Sequence, residues 1–204
     1  MLYDFRLQYA PALIPEFAAR YLRTPYKNRT AADEDRLAEE AGWRLVNTPF
    51  NLADVKTIIL WKSHRPMYLF ELNDCSEVEA AVKDSIAATE AGDVRRAVKS
   101  LTRLSGVGVK MASAILTAMF PTLYTVCDFR ASSALGVKDY SSLRYYVAYL
   151  AACREMAVRY GVSLRDFDRA NWQWSKDQTK KKAKKCEGWC RANEGGSVLR
   201  GACF

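Results

Sequence analysis

The sequence contains a single histidine, His64, and six cysteines among its 204 residues. One imidazole leaves little material for a His-based hydrolytic triad or a histidine metal site. In the C-terminal region Cys186, Cys190 and Cys203 follow the pattern C-x3-C-x12-C, which is one ligand short of a four-cysteine iron–sulfur site and wrongly spaced for it. We therefore expect no iron–sulfur cluster, no zinc and no other cofactor.

Long apolar runs are absent as well. A helix that spans a bilayer needs about 18 or more apolar residues in a row, and the sequence has no such stretch. The first residues also lack the basic-then-apolar pattern of a secretory signal. We expect a cytoplasmic protein with reduced thiols. Cys75, Cys127 and Cys153 are dispersed among apolar positions, which predicts small core residues.

The chain has no internal repeat and no apolar–polar alternation long enough to build a sheet. Apolar residues recur instead at helical spacing, with start signals such as Asp93 and Ser163. This pattern predicts an all-α fold. The predicted helices are Ala12–Leu22, Ala31–Ala41, Leu52–Ser63, Ser76–Ala91, Asp93–Leu104, Val109–Met119, Phe129–Leu135, Ser142–Tyr160 and Ser163–Ser175.

The charge is unevenly distributed along the chain. The formal net charge is +8, of which the segment KDQTKKKAKK at 176–185 supplies +5 through six lysines and one aspartate. We divide the chain into a helical domain at 1–176 and a basic, cysteine-containing tail at 177–204. A net positive charge suits a polyanionic partner. The lysine run is interpreted as a non-specific DNA tether; the alternative is a solubilising tail without a DNA role.

The segment 101–135 carries the most specific pattern in the sequence. Its residues Ser105, Gly106, Val107 and Gly108 lie between two apolar-periodic segments, which predicts a tight turn joining two helices. Glycine accepts positive φ and lets a partner approach the backbone closely. The N–H groups that begin the next helix can hold a phosphate oxygen, so the turn is a candidate DNA-backbone contact.

A lysine and an aspartate stand at fixed distances from this turn. Lys110 falls in the first turn of the second helix, where the helix dipole disfavours positive charge. Asp128 follows 18 residues later. Taken singly, Lys110 is typical of a solvated or phosphate-binding lysine, and Asp128 of an N-cap before the helix that starts at Phe129. An N-cap aspartate can also act in catalysis.

Together these residues resemble the signature of the helix-hairpin-helix DNA glycosylase superfamily, which includes endonuclease III and the 8-oxoguanine DNA glycosylases. The signature runs Leu-x-Gly-Val-Gly-x-Lys, then an alanine-rich helix, then Val-x-Asp. Here the matching residues are Leu104, Gly106, Val107, Gly108, Lys110, Ala112, Val126 and Asp128. The match covers about 35 residues directly, and helices are compatible with it over most of 1–176.

The resemblance implies a two-lobed helical fold with a DNA-binding cleft, and it implies catalytic roles. Lys110 would be the amine that attacks C1′ of the sugar, and Asp128 the carboxylate that assists it and stabilises the cationic sugar. A lysine at this position implies a Schiff base and β-lyase strand nicking as well as base release. The hairpin carbonyls of Thr102, Leu104 and Val107 could hold a monovalent ion. We expect a monomer that binds double-stranded DNA and associates with the nucleoid through it.

A second group of candidate DNA contacts lies where the helix ends before Pro66. Trp61 and His64 are candidates for bracing the gap that a flipped nucleotide leaves. Lys62, Arg65 and, after Asp128, Arg130 are candidate phosphate contacts. The alternative is a core tryptophan beside favourable helix-end cations.

The substrate is the feature that the sequence constrains least. Ala114 and Ala118 lie one and two turns after Lys110, on the face that lines the base pocket in the 8-oxoguanine glycosylases. Small residues there would admit a bulky base, such as glucosylated hydroxymethylcytosine of phage DNA, which small antiviral glycosylases excise. Two alternatives stay open: repair of oxidised bases, and a non-catalytic DNA-binding protein.

In the last helix Leu164, Phe167 and Trp174 share a face that predicts core packing, beside Asp168 and Arg169, which could pair.

Overall fold

The computed structural model of the chain describes residues 3–138 and 140–193, with side chains described as far as residue 179. Ten α-helices account for most of this part of the chain. They are α1 (Ile14–Leu22), α2 (Ala31–Asn47), α3 (Leu52–Lys62), α4 (Met67–Phe70), α5 (Cys75–Glu90), α6 (Val94–Leu101), α7 (Val109–Met119), α8 (Phe129–Ala134), α9 (Leu143–Arg159) and α10 (Leu164–Asn193). The predicted all-α class is confirmed.

Local signals start several of these helices. A reciprocal capping box between Thr30 and Asp33 opens α2, and another between Asp74 and Glu77 opens α5. Asp93 caps α6 by accepting a hydrogen bond from the backbone N–H of Arg96. These short-range contacts satisfy N–H groups that a helix leaves unpaired, which is why their positions can be read from sequence.

Some predicted boundaries are wrong. Helix α2 continues to Asn47 rather than ending at Ala41, and α10 continues to Asn193 rather than Ser175. The lysine-rich run therefore extends a core helix, since lysine, alanine and glutamine are good helix formers. The sequence analysis did not predict the short helix α4. It also did not predict a two-stranded antiparallel sheet of β1 (Pro25–Tyr26) and β2 (Arg29–Thr30).

Gly42 explains why α2 does not end where the sequence indicated. A Cβ at Gly42 would lie 2.2 Å from the backbone carbon and oxygen of Ala118 in α7. The two helices thus cross in direct backbone contact, which only glycine permits. Glycine serves here for close packing inside a helix and not as a stop signal.

The core contains four tyrosines that position the segment ahead of α8. Tyr146 and Tyr149 of α9 donate to the carbonyl oxygens of Thr125 and Val126, each at 3.2 Å. Burial raises the pKa of both hydroxyls well above the usual value, so they remain neutral donors. The other two, Tyr124 and Tyr145, are equally buried and hydrogen-bond to Thr89 and Ser132.

The two ends of the described chain meet. Helix α1 packs along α10. The N–H groups of Arg6 and Gln8 donate to the carbonyls of Leu135 and Ala134, at the C-terminal end of α8. The predicted core face of α10 is confirmed, because Leu164 and Phe167 are buried and Trp174 stacks on Tyr9. Packing of this kind brings α10 beside the start of α8.

Candidate active site

A cavity of about 240 Å³ lies between α3, the start of α8 and the middle of α10. Four of its fifteen lining residues are aromatic and six are charged. The lining residues are Tyr21, Thr24, Tyr26, Ala31, Glu34, Leu60, Trp61, Lys62, Ser63, Val126, Asp128, Arg165, Asp168, Arg169 and Trp172. A concave site that combines aromatic side chains with a few convergent polar groups is the usual form of a small-molecule or base-binding site.

Asp128 lies at this cavity as the N-cap of α8. Its Oδ1 accepts hydrogen bonds from the N–H groups of Arg130 and Ala131, both at 3.0 Å. The preceding residue is anchored too, because the N–H of Cys127 donates to Ser113 Oγ at 2.9 Å. The predicted cap is confirmed. One oxygen of Asp128 is fixed by the cap, and the other, Oδ2, is left to face a different partner.

That partner is Lys62, the last residue of α3. Its Nζ lies 3.0 Å from Asp128 Oδ2, and the two side chains are 18% and 16% exposed. The pair spans 66 positions in the sequence. Both side chains line the cavity, so an amine and a carboxylate meet at its surface in a partly desolvated ion pair.

Contacts with neighbouring side chains hold the two tryptophans of the cavity wall. Trp61 donates from Nε1 to Asp35 Oδ1 at 3.1 Å, and the guanidinium of Arg165 lies 5.5 Å from its ring centroid. On the opposite helix Trp172 makes an edge contact with Tyr21 at 5.3 Å. A flat heterocycle entering between these side chains would find aromatic surfaces already in place.

A buried ionic cluster forms the floor of the cavity and joins α2 to α10. Asp35 Oδ2 accepts from Arg165 at 2.7 Å and from Arg169 at 2.8 Å. Arg165 also donates to Glu39 and Asp168, at 3.1 and 2.6 Å. Both carboxylate oxygens of Asp35 are satisfied, since Oδ1 accepts from Trp61, and this is the condition under which buried charges are tolerated.

Asp168 differs from the other carboxylates of the cluster. Burial raises its pKa to about 6, an effect that the attraction of Arg165 only partly offsets and the nearby Asp128 increases. Because Asp168 lines the cavity and changes charge within the physiological range, it can meet a bound group as either donor or acceptor. The sequence indicated Arg169 as its possible partner; the structure pairs Asp168 with Arg165.

A second cavity of about 390 Å³ adjoins the first. The two share Tyr26, Glu34, Leu60 and Trp61 in their walls. The remaining lining residues are mostly polar: Lys27, Asn28, Arg29, Leu37, Thr57 and His64. A ligand larger than one heterocycle would extend into this space.

The hairpin between α6 and α7 is present and is braced by α4. Gly106 has φ +77°, and a Cβ there would lie 2.8 Å from the backbone of Phe70 and Pro66. Ser105 is pinned through its backbone, since its N–H donates to Asn73 Oδ1 at 2.8 Å. Gly108 has an ordinary φ of −81° and caps α7 without a side chain. Only the first glycine needs positive φ; open space lies beside the second.

Lys110 and the two alanines that follow it lie outside the cavity lining. Lys110 is half-buried in the first turn of α7. Ala114 and Ala118 are 0% and 2% exposed, and the backbone of Ala118 packs against Gly42. Their placement as base-pocket residues is therefore corrected: this face of α7 belongs to the core. Small residues on α7 consequently give no indication of a bulky base.

The remaining predicted contacts lie around the cavity. Trp61 and Lys62 form part of its wall, while His64 and Arg65 lie just beyond the end of α3. Trp61 lines the cavity wall and contacts Asp35 and Arg165, and its predicted role in bracing a flipped nucleotide stays a prediction. Arg130 lies over the rings of Phe129 and Trp172, at 4.9 and 5.3 Å.

The cysteine predictions have mixed outcomes, and the predictions about metals stay predictions. Among the residues that the structure describes, no three His, Cys, Asp or Glu side chains group as metal ligands. The predicted monovalent ion stays a prediction; the carbonyl of Leu104 already accepts from Val107 N–H at 3.1 Å. Cys127 and Cys153 are buried thiols as predicted, whereas Cys75 is exposed at the start of α5. The predictions for Cys186, Cys190 and Cys203 concern side chains that lie outside the part of the chain that the structure describes.

Comparison with known proteins adds no relative. No family model, no curated protein and no solved structure matches this chain. Within the described residues no helix combines the length and apolarity that crossing a bilayer requires.

Sequence reasoning missed most of the cavity. Tyr21, Arg165 and Trp172 line it and come from α1 and α10, and Asp35 of α2 contacts Arg165 and Trp61; these helices lie far from the hairpin in sequence. The sequence does carry a pattern that points to Asp35 and Arg165. An acidic residue in α2 and closely spaced arginines in α10 fall on otherwise apolar helix faces, which is typical of buried ion pairs.

Proposed function

We propose that this chain is a DNA glycosylase in which a flipped base enters the aromatic cavity and Asp128 assists its removal. The observation that carries the proposal is that Asp128 lines a cavity of about 240 Å³ that has aromatic side chains in its wall. Asp128 also follows the hairpin and α7 at the spacing of the glycosylase signature, as the N-cap of α8. A base that is to be excised must leave the duplex and stack in such a pocket. The proposed fold is correspondingly the two-lobed helix-hairpin-helix arrangement, with the cleft at this cavity.

Asp128 supplies the electrostatic part of the reaction. Departure of the base leaves positive charge on the sugar, and a carboxylate about 4 Å away contributes about 4 kcal/mol at an effective dielectric near 20. That energy corresponds to roughly a thousandfold in rate. Because the α8 cap fixes Oδ1, the carboxylate is oriented before the substrate arrives.

DNA binding in this proposal comes from the hairpin and the positive charge. The open space beside Gly108 allows a phosphate to approach the start of α7. The net charge of +8, much of it in the lysine run, adds sequence-independent affinity. The product is an abasic site in double-stranded DNA, and strand nicking would follow if an amine forms a Schiff base with it.

The volume of the main cavity favours a smaller substrate base than the small residues of α7 suggested. Pockets for drug-sized ligands span about 300–1,000 Å³, so the main cavity suits one unsubstituted or lightly modified base, as in repair of oxidised bases. A bulky modified cytosine, the antiviral hypothesis, would need its substituent in the adjoining polar cavity near Asn28, Arg29 and His64. Base panels that include both classes decide between these substrates.

The test is base release from a panel of duplexes, comparing the wild type with Asp128→Asn. Asparagine is also a good N-cap, so this substitution removes the charge and keeps the helix start. Release should fall roughly a thousandfold while DNA affinity is kept. The matched control is Asp93→Asn, an exposed N-cap on α6 outside the cavity, which should release base at the wild-type rate. If the wild type binds DNA but frees no base, the chain is a non-catalytic DNA binder and the proposal is wrong.

A further inference from the structure

Two amines are candidates for chemistry at this site, and they differ in position. Lys62 Nζ lines the cavity and lies 3.0 Å from Asp128 Oδ2. Lys110, which stands at the signature position, does not line the cavity. A sugar placed close enough to Asp128 for stabilisation is therefore also within reach of Lys62, which is the proximity that a nucleophile needs.

We propose that Lys62 is the amine of this site and forms the Schiff base with C1′ of the abasic sugar. The inference rests on the proposed function, and it assigns the lyase step to α3 in place of α7. The sequence alone indicated only a phosphate contact for this lysine.

Asp128 Oδ2 is placed to handle the proton that this step requires. Lys62 first transfers one proton to Oδ2, because only the neutral amine has a lone pair. The nitrogen then adds to the C1′ aldehyde of the ring-opened abasic sugar, forming a C–N bond and a carbinolamine. Asp128 returns the proton to the carbinolamine hydroxyl, which leaves as water, and the C=N bond of the iminium forms. No oxidant or reductant enters the step.

Strand cleavage follows from the iminium. Asp128, ionised again after water has left, takes a proton from C2′, and the electron pair of that C–H bond forms a double bond between C1′ and C2′. The C3′–O bond then breaks as a double bond forms between C2′ and C3′, which releases the 3′ phosphate. Water hydrolyses the remaining unsaturated imine and returns Lys62 as the free amine. The buried cluster takes no covalent part, but it holds Trp61, the neighbour of Lys62, in a fixed orientation.

A purely structural role for Lys62 makes a different prediction. If the lysine served only to orient Asp128, arginine would preserve the ion pair and the reaction, because a guanidinium also pairs with a carboxylate. If Lys62 is the nucleophile, arginine cannot form an imine and activity is lost. Lys62→Arg thus separates the two roles with the cavity kept charged.

The experiment is borohydride trapping on a duplex with a single abasic site, using the full-length wild type, Lys62→Arg, Lys62→Gln, Lys110→Gln and Lys56→Gln. Lys56 is the control because it is another partly exposed lysine of α3, paired with Glu71 and absent from the cavity lining. We expect a covalent adduct in the wild type and in Lys56→Gln, and at least a hundredfold less in both Lys62 variants. Peptide mapping should place the attachment at Lys62 in the wild type and in Lys110→Gln. Thermal unfolding of each variant verifies that it is folded.

Three results would overturn the proposal: an adduct mapped to Lys110, an adduct undiminished in the Lys62 variants, or no adduct in the wild type. Base release measured on the same proteins distinguishes this failure from that of the proposed function. Base release without an adduct leaves the glycosylase standing and removes Lys62 as its lyase amine. Absence of both removes both proposals.

Discussion

Arg165 donates to Asp35 at 2.7 Å across 130 positions of sequence, and this ion pair ties α10 to α2 beneath the cavity. The same guanidinium reaches Glu39 and Asp168, so one side chain contacts three carboxylates, of which Asp35 and Asp168 are buried. The cluster therefore holds α2 against α10, because loss of Arg165 would leave the buried Asp35 and Asp168 short of partners.

Arg165→Lys should destabilise the fold by about 3–5 kcal/mol, because a lysine cannot make the forked contacts and leaves buried carboxylates without partners. Urea unfolding followed by circular dichroism measures the change. Arg159→Lys, in an exposed pair with Glu155, should cost less than about 1 kcal/mol. Equal destabilisation of the two variants would mean that the buried cluster contributes no more than a surface pair.

Asp168→Asn should alter the pH dependence of stability. The pKa of Asp168 is raised from 3.8 to about 6 in the folded chain, so the folded state holds a proton that the unfolded state has released between these values. The stabilisation from this group is therefore fully present below about pH 4 and is lost as pH rises through 6. The wild-type free energy of unfolding, relative to the variant, should fall by about 2 kcal/mol between pH 4 and 7. A difference that instead grows with pH would indicate a carboxylate dominated by Arg165.

Gly42→Ala should be strongly destabilising, by more than about 2 kcal/mol, since the new Cβ would overlap the backbone of Ala118 and force α2 from α7. Gly108→Ala meets nothing within 4 Å and has an ordinary φ, so it should cost less than about 1 kcal/mol. On the proposed function, however, the methyl group at residue 108 should weaken DNA binding, whereas folded Gly42→Ala should bind normally. Chemical denaturation and fluorescence anisotropy measure the two effects; unchanged DNA affinity in Gly108→Ala would argue against phosphate contact at the hairpin.

Replacing Lys180, Lys181, Lys182, Lys184 and Lys185 by glutamine should weaken DNA binding without preventing base release at saturating enzyme. For each lysine–phosphate ion pair that the substitutions remove, the plot of log affinity against log salt should become shallower by about 0.9. Anisotropy titrations from low to physiological salt measure that slope. An unchanged slope would identify the segment as a solubilising extension of α10 with no DNA role.

Features that depend on short-range interactions could be predicted from the sequence, and those that depend on long-range packing could not. Val109–Met119 was predicted to the residue, and Asp128 was identified as the cap of α8, because both depend on contacts within one or two helical turns. The predicted end of α2 at Ala41 is wrong because the helix continues through Gly42, where the missing side chain lets α2 meet Ala118, some 76 positions away. Ala114 and Ala118 were misplaced for the same reason: periodicity shows that α7 is apolar, not which face meets another helix.

The sequence alone established the all-α class and the turn at Gly106, because helical periodicity and backbone sterics act over short stretches. It also shows the 18-residue spacing from Lys110 to Asp128. Tertiary structure alone decided which amine meets Asp128 and which walls enclose the cavity. Lys62 reaches Asp128, and Arg165 reaches Asp35, only after α3, α8 and α10 pack on the core. The burial of apolar surface that drives this packing is non-directional, so the pairs it brings together cannot be read from local pattern.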